Sequence, residues 1–274
     1  MRLQSVPARQ GGTWVRRGFR AFFRQPLAFA ALFATVSFTF IVLVWFVPLI
    51  GPILMFALLP LITLGFMIAT RQTVEGGYPT PAVFAAPLRG ERPRRMAMLR
   101  LCIGYAVATL LVVLLADTLD GGSVTDLMQN AQGGALDSEA AAAKAASDPR
   151  IEFGLMLRFA MTGLLSLIFW HAPALVHWEG QGAAQAVFTS TLACWRNKGA
   201  FLVYGLYWFS VAMMVALAAS LLAAVFGAAN LMPMLLAPVS LLLSTAFYAS
   251  LYFTYADTFV DDAPAPSLER NPTP

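Results

Sequence analysis

Two stretches of this chain run without a charged side chain for longer than any soluble fold requires. Residues 25–70 are 46 consecutive uncharged positions, and residues 199–256 are 58. Two shorter runs, 101–116 and 159–178, span 16 and 20 residues with histidine counted as neutral. A helix needs about 20 mostly apolar residues to cross the hydrocarbon layer of a bilayer. Each long run has room for two crossings and each short run for one. Only 12% of all residues are Asp, Glu, Lys or Arg, about half the share in a soluble domain. The sequence predicts an all-α polytopic membrane protein, a bundle of six transmembrane helices.

The expected spans are about 27–47, 53–70, 97–116, 155–176, 200–226 and 231–255. Together they make a transmembrane domain over 27–256 that includes an external loop, 117–154. A cytoplasmic segment, 1–26, precedes it, and a disordered cytoplasmic tail, 257–274, follows. Pro48-Leu-Ile-Gly-Pro52 and Gly227-Ala-Ala-Asn230 divide the long runs, since Pro and Gly end helices. The third span reaches full length only by including Arg100, whose stem snorkels to the interface; five spans is the alternative. Arg158 is expected to snorkel in the same way. The first apolar run lacks a small-residue cleavage site and is expected to stay as an anchor.

Lys and Arg near span ends set orientation. Residues 1–26 carry six arginines and no acid. Arg71, Arg89, Arg92, Arg94, Arg95 and Arg100 follow the second span, and Arg196 and Lys198 follow the fourth. The 117–150 segment instead has six acids against Lys144 and Arg150. This pattern places both termini in the cytoplasm of a bacterial inner membrane. The two cysteines, Cys102 and Cys194, then lie on a reducing side, too few for a disulfide framework or a Cys-based zinc site. The net charge of +4 sits beside apolar runs and in no nucleic-acid-binding motif, so no nucleic acid partner is expected.

Outside the spans, Thr13 to Gln25 reads as an interfacial amphipathic helix. Trp14, Gly18 and Phe22 recur at i+4 with Val15, Phe19 and Phe23 alongside, and arginines take the other faces. That pattern lies in the headgroup layer with rings toward the acyl chains and arginines toward anionic lipid headgroups. Asp137 to Ser147 is alanine-rich and allows a short helix or a mobile loop. An internal repeat is suggested: Phe23-Arg24-Gln25 with Phe29 matches Trp195-Arg196-Asn197 with Phe201. Each motif opens a pair of spans whose second member contains a proline, Pro60 or Pro238. Parallel repeats occur in transporters, and two duplicated anchors give the same pattern.

Ionisable groups inside a membrane mark function by default. His171 is the one such residue well inside an apolar run. His177 lies about 240° around the helix from it, and Glu179 takes a third bearing, so the expected reading is structural. No catalytic serine elbow, metalloprotease pair, P-loop or dinucleotide fingerprint is present. No catalytic, cofactor-binding or metal residues are assigned, and no cofactor. Prolines 60, 173 and 238 are expected to kink their spans, with gating as the functional option. Ala212, Ala216, Ser220 and Ala224 form a small-residue stripe, expected to pack within the bundle, with contact between copies as the alternative.

The chain resembles a family of uncharacterised proteobacterial six-span inner-membrane proteins. The resemblance is carried by Pro7-Ala8, Trp14, Gly18, Phe22, Pro26, Pro48-Leu-Ile-Gly-Pro52, Leu59-Pro60 and Gly65. It continues through Phe169, Pro173-Ala-Leu-Val176, Trp178, Ala186, Ser190 and Asn197. The segment from Ala186 to Asn197 is also similar to membrane domains found beside glycerophosphodiester phosphodiesterases. The family implies fold and location and supplies no catalytic residues. The expected function is an integral inner-membrane protein that is not an enzyme and serves membrane organisation or partner assembly. The alternative is a transporter or lipid-handling protein for a neutral or amphiphilic substrate. Expected partners are the lipid bilayer, anionic lipid headgroups, and a homo-oligomer or another membrane protein.

Overall fold

The computed structural model describes residues 2–47, 50–132, 147–226 and 232–260. The helices in chain order are α1 Gln10–Arg24, α2 Pro26–Phe46, α3 Gly51–Val74, α4 Arg92–Asp120 and α5 Ser123–Gln132. They continue as α6 Pro149–Phe169, α7 Ala172–Glu179, α8 Ala183–Arg196, α9 Lys198–Phe226 and α10 Met232–Thr258. Six helical stretches are long and apolar enough to cross a membrane: α2, α3, α4, α6 with α7, α9 and α10. The third span is among them and runs the full length of α4, which removes the five-span alternative at the level of helix length.

Two strands, β1 Arg2–Leu3 and β2 Phe259–Val260, pair antiparallel. This pairing joins residues 2–3 to residues 259–260 on one face, the near face. The opposite, far face carries α5. The last helix reaches Thr258, so residues 257–260, placed in the disordered tail by the sequence, are structured. The rest of that tail, the alanine-rich stretch at 137–146 and the break at 227–230 lie outside the described residues.

The amphipathic helix forms as expected, but its apolar face meets protein. Trp14, Val15, Ala21 and Phe22 are buried, and α1 packs along α9 and α10. Gly18 permits this approach, since a Cβ there would lie 2.5 Å from Ser250 Cβ and 2.9 Å from the Ala246 carbonyl oxygen. The rings of Trp14 and Phe22 therefore fill the bundle, and Phe23 and Leu27 face outward. The sequence reading turns these rings toward acyl chains, and the structure corrects it: a stripe of rings and glycines fits a helical groove equally well.

Packing concentrates at the near face. The buried residues of α2 are Ala28, Phe29 and Leu32, all in its first two turns. On α9 they are Ala200, Phe201 and Tyr204, again at the start. On α3 and α10 burial instead gathers toward the C-terminal ends, which return to the near face. The outer parts of α2 and α9 expose large apolar side chains such as Phe38, Trp45, Phe209 and Leu217. In lipid these cost nothing, because acyl chains are as apolar as leucine.

Asp257 ties the near face together. Its carboxylate accepts from Gln10 Nε2 at 2.6 Å, Trp14 Nε1 at 2.9 Å and Arg17 Nη1 at 2.9 Å. Gln4 Nε2 donates to its backbone carbonyl at 2.8 Å. The Arg17 guanidinium also stacks over Phe253 at 4.2 Å. Replacing Asp257 with Ala strips three donors of their acceptor. We expect a loss of about 2–3 kcal/mol, the order of a hydrogen bond to a charged group. The check is a fall in the melting temperature of the detergent-solubilised protein, with Asp257→Asn falling less.

Candidate functional site

The fourth span is not one helix. It stops at Phe169, turns through Trp170 and His171, and resumes as α7 at Ala172. Pro173 is the physical cause: it has no N–H to reach the Phe169 carbonyl. Broken backbone at membrane depth must find other partners. The His171 N–H donates to Ser190 Oγ on α8 at 2.9 Å. The Trp170 N–H bonds the Leu167 carbonyl in a tighter turn.

The side chains at the break converge on Thr254 of α10. Its hydroxyl donates to the Leu251 carbonyl at 2.7 Å, so the oxygen is left to accept. Trp170 Nε1 donates to it at 3.0 Å, and His171 Nε2 lies 3.2 Å away. With the Thr254 proton already committed, His171 Nε2 is the donor, which fixes the neutral Nε2–H tautomer. Nδ1 is then a buried acceptor without a partner among the described residues. His171 is fully enclosed, edge-on to Phe201 and Phe259. It holds a break in place.

The other residues weighed with His171 sit elsewhere. The carboxylate of Glu179 accepts from the Tyr255 hydroxyl at 2.9 Å. His177 packs beside Trp178 with ring centres 6.1 Å apart, and its carbonyl accepts from Arg94. No three potential ligands gather into a metal site among the described residues. Both cysteines are free and buried. Burial pushes the Cys194 thiol up to about 12, so it stays protonated at neutral pH. Pro60 and Pro238 lie inside continuous helices.

Sequence reasoning missed a charge cluster toward the far face. Arg158 of α6 does not snorkel. It binds Asp120 of α4 and lies 3.0 Å from Asp117 Oδ1. Thr125 of α5 donates to Asp117 at 2.6 Å, and the Gly122 N–H donates to Asp120 at 2.9 Å. The Asp120 side chain is wholly enclosed. A side chain at Gly154 would collide with Asp120 and Val124, so that glycine admits the ion pair. The signal was present as Asp117 and Asp120 at i, i+3 and Gly154 and Arg158 at i, i+4, on helices joined as a hairpin. Reading it required knowing that the two faces meet.

The small-residue stripe also departs from expectation. Ala212, Ala216 and Ser220 are exposed, and the half-buried side of α9 is instead Trp208, Val211, Val215 and Ala219. These three positions therefore do not pack within the bundle, and the Ala224 side chain lies outside the described ones. The two repeat motifs do have matching local structure: α1 and α8 end at Arg24 and Arg196, and α2 and α9 begin two residues later. Gln25 and Asn197 fill the corners. Gln25 bonds the Gly77 carbonyl, and Asn197 exchanges bonds with Val6 and Gln4. The two amphipathic helices differ in their neighbours: α1 docks on α9 and α10, whereas α8 packs on α6 and α7.

Replacing Arg158 by Met leaves Asp120 enclosed and unpaired, a loss of about 3–5 kcal/mol. Adding Asp120→Leu is expected to restore much of it. Melting curves of the single and double variants check this, and additive losses would contradict a coupled pair.

The chain is 34% identical over 270 residues to a protein of Burkholderia thailandensis described as a probable inner membrane protein, and the match covers 98% of each chain. No family model matches it, and no solved structure does.

Proposed function

We propose that this chain, which belongs to the family of that Burkholderia thailandensis inner-membrane protein, acts by organising or assembling membrane components and catalyses no reaction of its own. Its place in the inner membrane follows from the family and the six apolar helices. The assembly role is supported chiefly by α9. Beyond Tyr204 that helix is covered only lightly, and it presents Ala212, Ala216 and Ser220 outward. The Ser220 hydroxyl is satisfied by the Ala216 carbonyl at 2.9 Å, so the strip is small without being needy. Small residues at i, i+4 let a second transmembrane backbone approach closely. The occupant we assign is a transmembrane helix of another protein, a second copy of this chain being the simplest.

The non-enzymatic reading is supported by how the charges are used. Arg158 is spent on Asp117 and Asp120, and Arg17 on Asp257. We place the near face in the cytoplasm. It exposes Arg16, Arg20, Arg24, Arg89, Arg92, Arg95 and Arg196, the side favoured by the positive-inside rule and suited to anionic headgroups.

Two measurements test these statements. An Ala216→Cys variant oxidised in native membranes is expected to give one discrete cross-linked species, its mass telling a second copy from a different protein. Adding Ala212→Leu is expected to remove most of it, and monomer alone would end the assembly reading. Reporter fusions at Glu91 and Ser123 are expected to report cytoplasm and periplasm respectively, and the reverse would invert the orientation.

A further inference from the structure

A cavity of about 260 Å³ lies where the fourth span breaks. Its walls come from α3, α4, α6, α7 and α10, and it touches both Pro60 and Pro173. We propose that it binds an uncharged, flat ring bearing hydrogen-bond-accepting oxygens, of the kind a lipid-borne quinone head presents. This goes beyond the assembly reading, because the site is inside the bundle and α9 takes no part in lining it.

The walls set the shape. Tyr105, Phe169, Trp170, Phe247 and Tyr248 supply five aromatic rings. Tyr105 meets Phe169 edge-on at 5.1 Å, and Phe247 meets Tyr248 edge-on at 5.8 Å. Faces and edges of this kind favour a flat guest. An apolar cavity of roughly 150 Å³ already accepts benzene. The volume here suits a substituted ring and excludes a whole lipid, so a tail must leave it.

The polar groups set the chemistry. Elsewhere in the spans, hydroxyls are commonly satisfied by their own helix: Thr35, Thr70, Ser210 and Thr245 each donate to the carbonyl four residues back. Thr63, Thr162 and Tyr248 line the cavity and have no hydrogen bond among the described residues. Ser166 and Tyr105 line the same wall. Pro60 and Pro173 leave the carbonyls of Phe56 and Phe169 without their helical donors. Non-helical backbone at this depth is tolerated where it lines a cavity. No charged side chain lines the cavity among the described residues, so a charged guest would enter without a counter-ion. A ring with carbonyl or ether oxygens meets the free hydroxyl donors without that cost.

The location sets the source. Thr162 is exposed on the outer side of α6, one turn from the exposed Phe159. A guest that partitions into lipid reaches Thr162 from the membrane.

The test uses the full chain in phosphatidylcholine nanodiscs and a benzoquinone carrying one isoprene unit as probe. Trp170 forms part of the wall, so quinone binding quenches its fluorescence. We expect saturable quenching above the linear background of the probe dissolved in lipid. The double variant Thr63→Val, Ser166→Ala keeps the shape and removes two hydroxyls. It is expected to weaken binding about tenfold, equivalent to about 1.4 kcal/mol. Ser166→Phe fills the cavity and is expected to abolish saturation, with an unchanged melting temperature certifying the fold. Linear quenching alone, or saturation untouched by both variants, overturns the proposal. Ala216→Leu, which alters the outer face of α9, is expected to leave binding unchanged, so failure here and failure of the assembly reading are separately visible.

Discussion

The carboxylate of Asp257 gathers Gln10, Trp14 and Arg17 from the opposite end of the sequence. Much of the near face follows from that contact. It seats α1 against α9 and α10, which buries Trp14 among Phe201 and Tyr204. It also aligns Arg2–Leu3 with Phe259–Val260, and Asn197 then reaches Val6 and Gln4. In water such a cluster would be a modest addition to hydrophobic burial. Between helices in lipid the hydrophobic drive is absent, and close packing with directed polar contacts decides which helices touch.

The same principle accounts for the uneven packing. Where polar contacts exist, the helices close up. Tyr204 bonds Ser250 at 2.6 Å, Trp170 and His171 share Thr254, and Ser190 takes the His171 N–H. Where they are missing, as along the outer turns of α2 and α9, side chains are left to the bilayer. The Arg158 cluster is a second, separate fastening, joining α4, α5 and α6 toward the far face.

The spans were legible because lipid imposes a simple length and composition rule. The run from 25 to 70 had no other reading. The amphipathic pattern of α1 was equally clear, yet it could not say whether Trp14 and Phe22 meet acyl chains or a helical groove. Asp257 was hidden for a related reason. Lying at the end of an apolar run and before a Pro-rich tail, it has the local look of a solvated acid, and its donors are some 240 residues away. The cavity was visible only as scattered facts, two prolines and a few hydroxyls, because its five walls come from four different spans. The outward turn of Ala212, Ala216 and Ser220 likewise depends on where α10 sits, which periodicity along α9 does not encode.

The docking of α1 has a consequence for biosynthesis. Its seat on α10 is the last described helix to be made, and Asp257 follows its partners on α1 by 240 to 247 residues. From its own synthesis until then, the apolar stripe of Trp14, Val15 and Phe22 has no protein groove and must rest on the membrane surface. One amphipathic surface thus serves in turn as a provisional lipid float and as a permanent joint. Closure of the near face therefore waits for α10, and the arrival of that helix converts a row of inserted helices into a folded molecule.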